Sequence, residues 1–201
     1  MRIAATVASL LFACALLAQP ALAEGDLERG KGLAYSCLGC HGIEGYRNAY
    51  PSFRVPKLGG QKAAYIADAV KGYRDGLRAH PTMIAQAVSL SDQDIEDLAA
   101  YLSTLGAETV DAGVEQRPEL ERAQVCVACH GPNGVSVNPM WPSLAGQHEE
   151  YLIHAMNQYR TGERKQAVMA AQAQMLTDED VKILARYYAG LEGLETTKPE
   201  K

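Results

Sequence analysis

Apolar positions along this chain fall into a helical rhythm twice, with nearly the same polar punctuation each time. Behind Ser91-x-x-Asp94, a capping-box-like start, Ile95, Leu98, Leu102 and Leu105 recur at helical spacing. Behind Thr177-x-x-Asp180 the same stripe is drawn by Val181, Leu184, Tyr188 and Leu191. Upstream, the stretch from Gln61 to Arg74 gathers Tyr65, Ile66, Ala69, Val70 and Tyr73 on one face. Its twin gathers Tyr151, Leu152, Ala155, Met156 and Tyr159. No run alternates convincingly with period 2, so the pattern predicts an all-α fold.

The two rhythms belong to an internal duplication. Cys37-Leu38-Gly39-Cys40-His41-Gly42 matches Cys126-Val127-Ala128-Cys129-His130-Gly131, and Pro56-Lys57-Leu58-Gly59-Gly60-Gln61 matches Pro142-Ser143-Leu144-Ala145-Gly146-Gln147. Tyr73-Arg74 matches Tyr159-Arg160, and Met83 matches Met169. The offset is a constant 86 from Pro56 onward and 89 at the cysteine motifs, so the first copy carries a longer loop between His41 and Pro56. The expected domains are 24–106 and 118–191. A linker at 107–117 joins them, and a polar tail at 192–201 is expected to fray. The second copy opens poorly: Gln116 to Gln124 includes Pro118 and lacks a counterpart of Gly30, the small residue expected at a helix–helix contact.

The first 23 residues stand apart from this fold. Arg2, the apolar run Ile3 to Ala18 and Ala21-Leu22-Ala23 read as a secretory signal peptide with an A-x-A cleavage site. A membrane anchor is the competing reading, but the run is short for a span of about 20 residues. Cys14 lies inside the apolar run rather than after it, which argues against a lipoprotein box. Cleavage would leave a periplasmic protein with four cysteines.

Composition narrows the function. With 47% hydrophobic and 21% charged residues the chain is ordinary for a globular protein. A net charge of −5 and the lack of long basic runs argue against nucleic acid as a partner. Aromatics make up only 6%, and each copy is small, so each domain needs something besides its apolar core to hold it.

Covalent haem supplies it. In C-x-x-C-H, two thiols reach the two vinyl groups of one porphyrin, and the adjacent His sits under the iron. A redox dithiol would want a βαβ setting. Zinc knuckles would want a far shorter separation than that between Cys40 and Cys126, and plain disulfides would leave the repeated His unexplained. The expected thioether residues are therefore Cys37, Cys40, Cys126 and Cys129, and the proximal ligands His41 and His130.

For the sixth iron ligand only Met83 and Met169 hold equivalent places in the repeat. Met175 stands as the fallback for the second haem, Met156 reads as core, and Met140 has no twin. His80, three residues before Met83, is a competing ligand; His148 and His154 read as surface or core residues. Pro56 and Pro142 are expected to offer their carbonyls to the Nδ1–H of His41 and His130. Tyr73, Arg74, Tyr159 and Arg160 have two readings, contact with haem propionates or simple core and surface roles.

These motifs, with Tyr-Arg-x-Gly and Leu-Ser-Asp-Gln-Asp, resemble the dihaem cytochrome c4 family over nearly the whole mature chain. The resemblance implies two class I cytochrome c domains facing each other, two covalent haem c groups with His/Met ligation, and a periplasmic electron carrier. Cys37, Cys40, His41 and Met83 would hold one haem; Cys126, Cys129, His130 and Met169 would hold the other. Implied partners are a terminal oxidase, a cytochrome bc1-type complex or a dehydrogenase, with peripheral membrane association and no small-molecule substrate. The segment between Tyr73 and Met83 is short for the family, which suggests service to a particular dehydrogenase as an electron-transfer subunit. A dihaem peroxidase is a further alternative, disfavoured by the paired methionines. The second half carries nine basic and fourteen acidic residues, a charge asymmetry that could orient docking or be ordinary solvated surface.

Overall fold

Both capping boxes form. Ser91 Oγ accepts the Asp94 N–H at 3.2 Å while the Asp94 carboxylate accepts the Ser91 N–H at 2.8 Å. Thr177 and Asp180 repeat the exchange at 3.1 Å in each direction. Each box satisfies two of the N–H groups a helix start leaves open. The computed structural model describes residues 25–106 and 120–197. The expected signal peptide and the expected linker at 107–117 lie outside the described residues.

The first copy contains α1 (Leu27–Leu33), α2 (Tyr35–His41), α3 (Ala63–Arg74), α4 (Pro81–Ala87) and α5 (Asp92–Thr104). The second contains a 3₁₀ turn (Glu121–Ala123), α6 (Gln124–His130), α7 (Glu149–Thr161), α8 (Ala167–Met175) and α9 (Asp178–Ala189). Among the described residues β structure is limited to isolated bridges, and no helix is long and apolar enough to cross a membrane. The fold is all-α, a tandem pair of small helical domains.

In each domain the last helix is the spine of the core. The predicted stripes are the buried ones: Ile95, Leu98, Leu102 and Leu105 in the first, Val181, Leu184, Tyr188 and Leu191 in the second. α5 packs on α1 and α3, and α9 on α7. Gly30 lets α1 press into α5, since a Cβ there would meet the Asp97 carbonyl oxygen at 2.0 Å. Arg29 then pairs with Asp94 and with Asp97, whose carboxylate also accepts the Asp26 N–H at 2.8 Å. The second domain has only the 3₁₀ turn in this place, tied by Arg122 to Asp180.

The helices expected from Gln61 and Gln147 begin two residues later, because both glutamines face the other domain. Gln61 accepts the Ser143 N–H at 2.9 Å and donates to the Ser143 carbonyl at 3.0 Å. Gln147 accepts the Lys57 N–H at 3.0 Å and donates to the Lys57 carbonyl at 2.9 Å. Lys57 and Ser143 are the same position of the repeat, so the interface is pseudo-two-fold: residue i binds j while j's twin binds i's. Near the axis Ala79 N–H donates to the Glu163 carbonyl at 2.9 Å and Lys165 N–H to the Leu77 carbonyl at 2.7 Å.

The tail is where expectation and structure part. Residues 192–197 were expected to fray, yet Leu194 is 2% exposed and Thr197 fully buried. Polarity of sequence is not exposure: an extended segment buries readily when its backbone groups and hydroxyls find partners. Here they do, in both domains. Glu195 exchanges hydrogen bonds with Gly59 of the first, and Leu194 N–H donates to Ala145 of the second.

Candidate haem sites

Short helices carry the two cysteine motifs. On α2 and α6 the cysteines lie three residues apart and the histidine four residues after the first, so one helix face presents all three groups. Cys37, Cys40, Cys126 and Cys129 are half-buried, while His41 and His130 are buried. Each imidazole is held from behind. His41 Nδ1–H donates to the Pro56 carbonyl at 2.8 Å, and His130 Nδ1–H to the Pro142 carbonyl at 2.8 Å. Burial pushes both imidazoles below the ordinary histidine range, with the carbonyl opposing it. The favoured form is therefore neutral, protonated at Nδ1, with the Nε2 lone pair free for a metal.

Met83 and Met169 occupy matching places in the first turns of α4 and α8. Both are half-buried. Their N–H groups are capped by twin residues: Met83 N–H donates to His80 Nδ1 at 3.4 Å, and Met169 N–H to Gln166 Oε1 at 2.7 Å. His80 thus has a structural task as a helix cap. Met175 sits at the far end of α8, 77% exposed, and Met140 is also exposed. His154 stacks on Phe53 with ring centroids 4.3 Å apart, while His148 is buried just before α7.

Of the two readings for Arg74 and Arg160, the contacts present are those that fasten one helix to the next. Arg74 binds the Leu90 carbonyl at 3.2 Å and Asp92 at 2.7 Å, fastening α3 to the start of α5. Arg160 likewise binds the Leu176 carbonyl at 2.9 Å and Asp178 at 2.6 Å. The buried cations are Arg78 and Arg164, four residues on, 8% and 3% exposed. The Arg78 guanidinium lies over Tyr65 and Tyr73, at 5.2 and 5.7 Å from the ring centroids. Arg164 lies over Tyr151 and Tyr159 at 5.7 and 5.3 Å. The two residues pair in an antiparallel bridge at the domain interface.

Sequence reasoning passed over this pair, although Arg78 and Arg164 share the offset of 86 that singled out the methionines. It also passed over the purpose of Gln61 and Gln147. In both cases the signal was a polar residue repeated in register.

Two arginines buried at one interface call for anions. No carboxylate of the described residues forms an ion pair with either, and Arg164 Nε, although buried, has no hydrogen-bond partner. Tyr188 Oη, buried in the second domain, is also without one. A haem brings two propionate carboxylates. Apolar helix faces, paired thiols, a neutral imidazole and buried arginines form a donor set that fits such a group.

Comparison with known proteins agrees. The family model for cytochrome c matches residues 27–106 and again 119–192. The chain is 40% identical over 193 residues to a cytochrome c4 of Stutzerimonas stutzeri, covering 84% of this chain and 90% of that protein. It is 34% identical over 179 residues to a thiosulfate dehydrogenase electron acceptor of Stutzerimonas stutzeri, covering 81% and 82%. Among solved structures, a reduced recombinant cytochrome c4 from Pseudomonas stutzeri superposes with a TM-score of 0.66 at 30% identity, covering 83% of this chain and 99% of that one. A thiosulfate dehydrogenase (TsdBA) from Marichromatium purpuratum gives 0.66 at 31% identity, covering 82% of this chain but 40% of that longer one.

Proposed function

We propose a physiological role for a chain that belongs to the cytochrome c family, in its dihaem cytochrome c4 branch. It is a dihaem electron-transfer protein with two covalently bound haem c groups, and it works with redox partner proteins rather than as an enzyme. Each haem supplies a one-electron iron couple when bound. The finer assignments below are our reading.

Cys37 and Cys40 anchor the first haem, and Cys126 and Cys129 the second. His41 and His130 ligate the irons through Nε2. Pro56 and Pro142 hold each ring in the required tautomer through the 2.8 Å bonds to Nδ1. Met83 and Met169 would complete the coordination, which would close both irons to substrate and raise their potentials. The propionate role considered for Arg74 and Arg160 passes to Arg78 and Arg164. Their buried charges, each stacked on a tyrosine ring (Arg78 on Tyr73, Arg164 on Tyr159), would neutralise haem propionates at the domain interface. Two haems held there would each add a one-electron iron couple beside the same polar interface, where Arg78 and Arg164 meet.

The observation that carries this reading is the pair of buried, bridged arginines without carboxylate partners. A mature protein exported to the periplasm fits the leader-like N-terminus. Two routes for the electrons are open to such a carrier: exchange with respiratory complexes such as a terminal oxidase, or acceptance from a periplasmic dehydrogenase. The likeness to a thiosulfate dehydrogenase electron acceptor favours a sulfur-compound dehydrogenase as one donor.

Carbon monoxide added to the dithionite-reduced protein tests the closed coordination. The expected result is an unchanged spectrum, with binding appearing at one haem in Met83→Ala and at the other in Met169→Ala. Stoichiometric binding to the unaltered protein at neutral pH would overturn the pure-carrier reading.

A further inference from the structure

We propose that residues 193–197 form a strap by which the second domain completes the first haem site, with Thr197 as a positioning residue for His41. Three observations meet here. The strap runs between equivalent edges of the two domains. Leu194 N–H donates to the Ala145 carbonyl at 2.8 Å, while Glu195 exchanges bonds with Gly59 at 2.9 and 3.0 Å. Ala145 and Gly59 are the same position of the repeat. Neighbouring residues of an extended segment point their backbone groups to opposite sides, so one short strap is read by both domains.

The strap then reaches the proximal ligand itself. Thr197 Oγ1–H donates to the His41 carbonyl at 2.8 Å, and Thr197 is completely buried. A Cβ on Gly42 would lie 3.0 Å from the Thr197 carbonyl oxygen, so the strap backbone is pressed against the residue that follows the ligand. His41 ends α2, where helix carbonyls have no partner in their own helix. Leu38 is answered by Gly42 N–H at 3.0 Å, and His41 by Thr197. The ligand is thereby held at two points, its ring by Pro56 and its carbonyl by the strap.

The second domain shows what the strap replaces. There the chain turns at Gly131 with φ of 81°, whereas Gly42 has φ of −91°. The turn brings Ser136 back, and its fully buried Oγ shares its proton between the Cys129 and Asn138 carbonyls, each at 3.1 Å. Each haem helix thus has a buried hydroxyl at its carbonyl end. One is supplied from the same domain, the other from the far end of the partner domain. Separation of the domains withdraws Thr197 from His41, so the state of the interface is written into the potential of the first iron.

This rests on His41 being the proximal ligand. The experiment is a redox titration of the full-length holoprotein followed by paramagnetic NMR. Each ferric haem's methyl signals are tracked separately and assigned through contacts to side chains of its own domain. The unaltered protein must first show a low-spin, His-ligated first haem; if it does not, the ligand assignment has failed, and the strap is not what was tested. Thr197→Val is expected to lower the first midpoint and leave the second in place, since a loosened ligand and admitted water favour the ferric state. Thr197→Ser is expected to restore it, and removal of residues 193–201 to lower it further. Ser136→Ala is expected to move only the second midpoint. Far-UV circular dichroism and haem stoichiometry check that each variant is folded and loaded. Unmoved midpoints in a folded Thr197→Val protein, or equal shifts of both, would overturn the proposal.

Discussion

The two domains share a repeat but close it differently. The first begins with a true helix, α1, pressed into α5 through Gly30 and locked by Arg29 on Asp94 and Asp97. The second has a single 3₁₀ turn there, and Ile183 stands where the first domain has Asp97. The second domain supplies its own hydroxyl cap through Ser136, while the first borrows Thr197. The duplication thus keeps the Cys-x-x-Cys-His motif, the proline behind the histidine and the methionine in register, and diverges in the elements that brace them. The domain with the stronger start leans on its partner for its finish.

The largest effect should come from the element that only the first domain has. Gly30→Val places atoms where the Asp97 carbonyl already lies, and overpacking of this kind costs about 3 kcal/mol. Thermal melts followed at each haem's own signals should show the first domain loosening while the second melts as before. A simultaneous and equal loss would mean that the domains unfold as one unit.

The glutamine clasps test the pseudo-symmetry at the next level. Gln61→Ala strands the buried N–H and carbonyl of Ser143 and should cost about 2 kcal/mol. Gln147→Ala strands the same groups of Lys57, which is only half-buried, and should cost about 1 kcal/mol. Equal losses in chemical denaturation would show that burial does not distinguish the two halves of the interface.

Acid should produce the most asymmetric response. Burial, helped by Arg54 and Lys57, holds the His148 imidazole down at about 4. The Arg54 guanidinium, bound to both Glu150 oxygens at 2.6 and 2.8 Å, holds that carboxyl at about 2. Both folded values lie below the ordinary values of 6.5 and 4.5, so both contributions are fully present above those values. As pH falls, the His148 contribution is lost between 6.5 and 4, and the Glu150 contribution between 4.5 and 2. The partly exposed Glu150 pair is worth at most about 1 kcal/mol. His80 and His154 are also held below the ordinary histidine value, and Asp92, Asp94 and Asp97 below the ordinary aspartate value. Melting temperature against pH should therefore fall in two steps that His148→Gln shrinks at the first and Glu150→Gln at the second without abolishing either. The first domain has Lys62 and Ala64 at these places, so no mirrored step is expected.

Much of this molecule was legible from its residues. The helical stripes, the capping boxes, the duplication and the cysteine motifs depend on local spacing, and local spacing is what a linear pattern records. Gly30 at a helix contact and the proline carbonyls behind His41 and His130 were legible for the same reason, as repeated or missing small residues near fixed motifs. Arg74 and Arg160 drew attention because they sit in a motif, yet they fasten one helix to the next. Arg78 and Arg164 share the offset of 86, but a repeated arginine in a linear pattern does not by itself say that it will be buried.

The sequence by itself determined that two small helical domains each carry one C-x-x-C-H helix, with a histidine backed by a proline and a methionine in matching register. Tertiary structure alone decided how the two are joined: the crossed glutamine clasps, the bridged arginines and the strap from the second domain to His41. The physical reason is distance along the chain. Thr197 and His41 are 156 residues apart, and Gln61 and Ser143 are 82 apart. Such partners leave no periodicity to read; they are selected only when burial removes water and every polar group must find another.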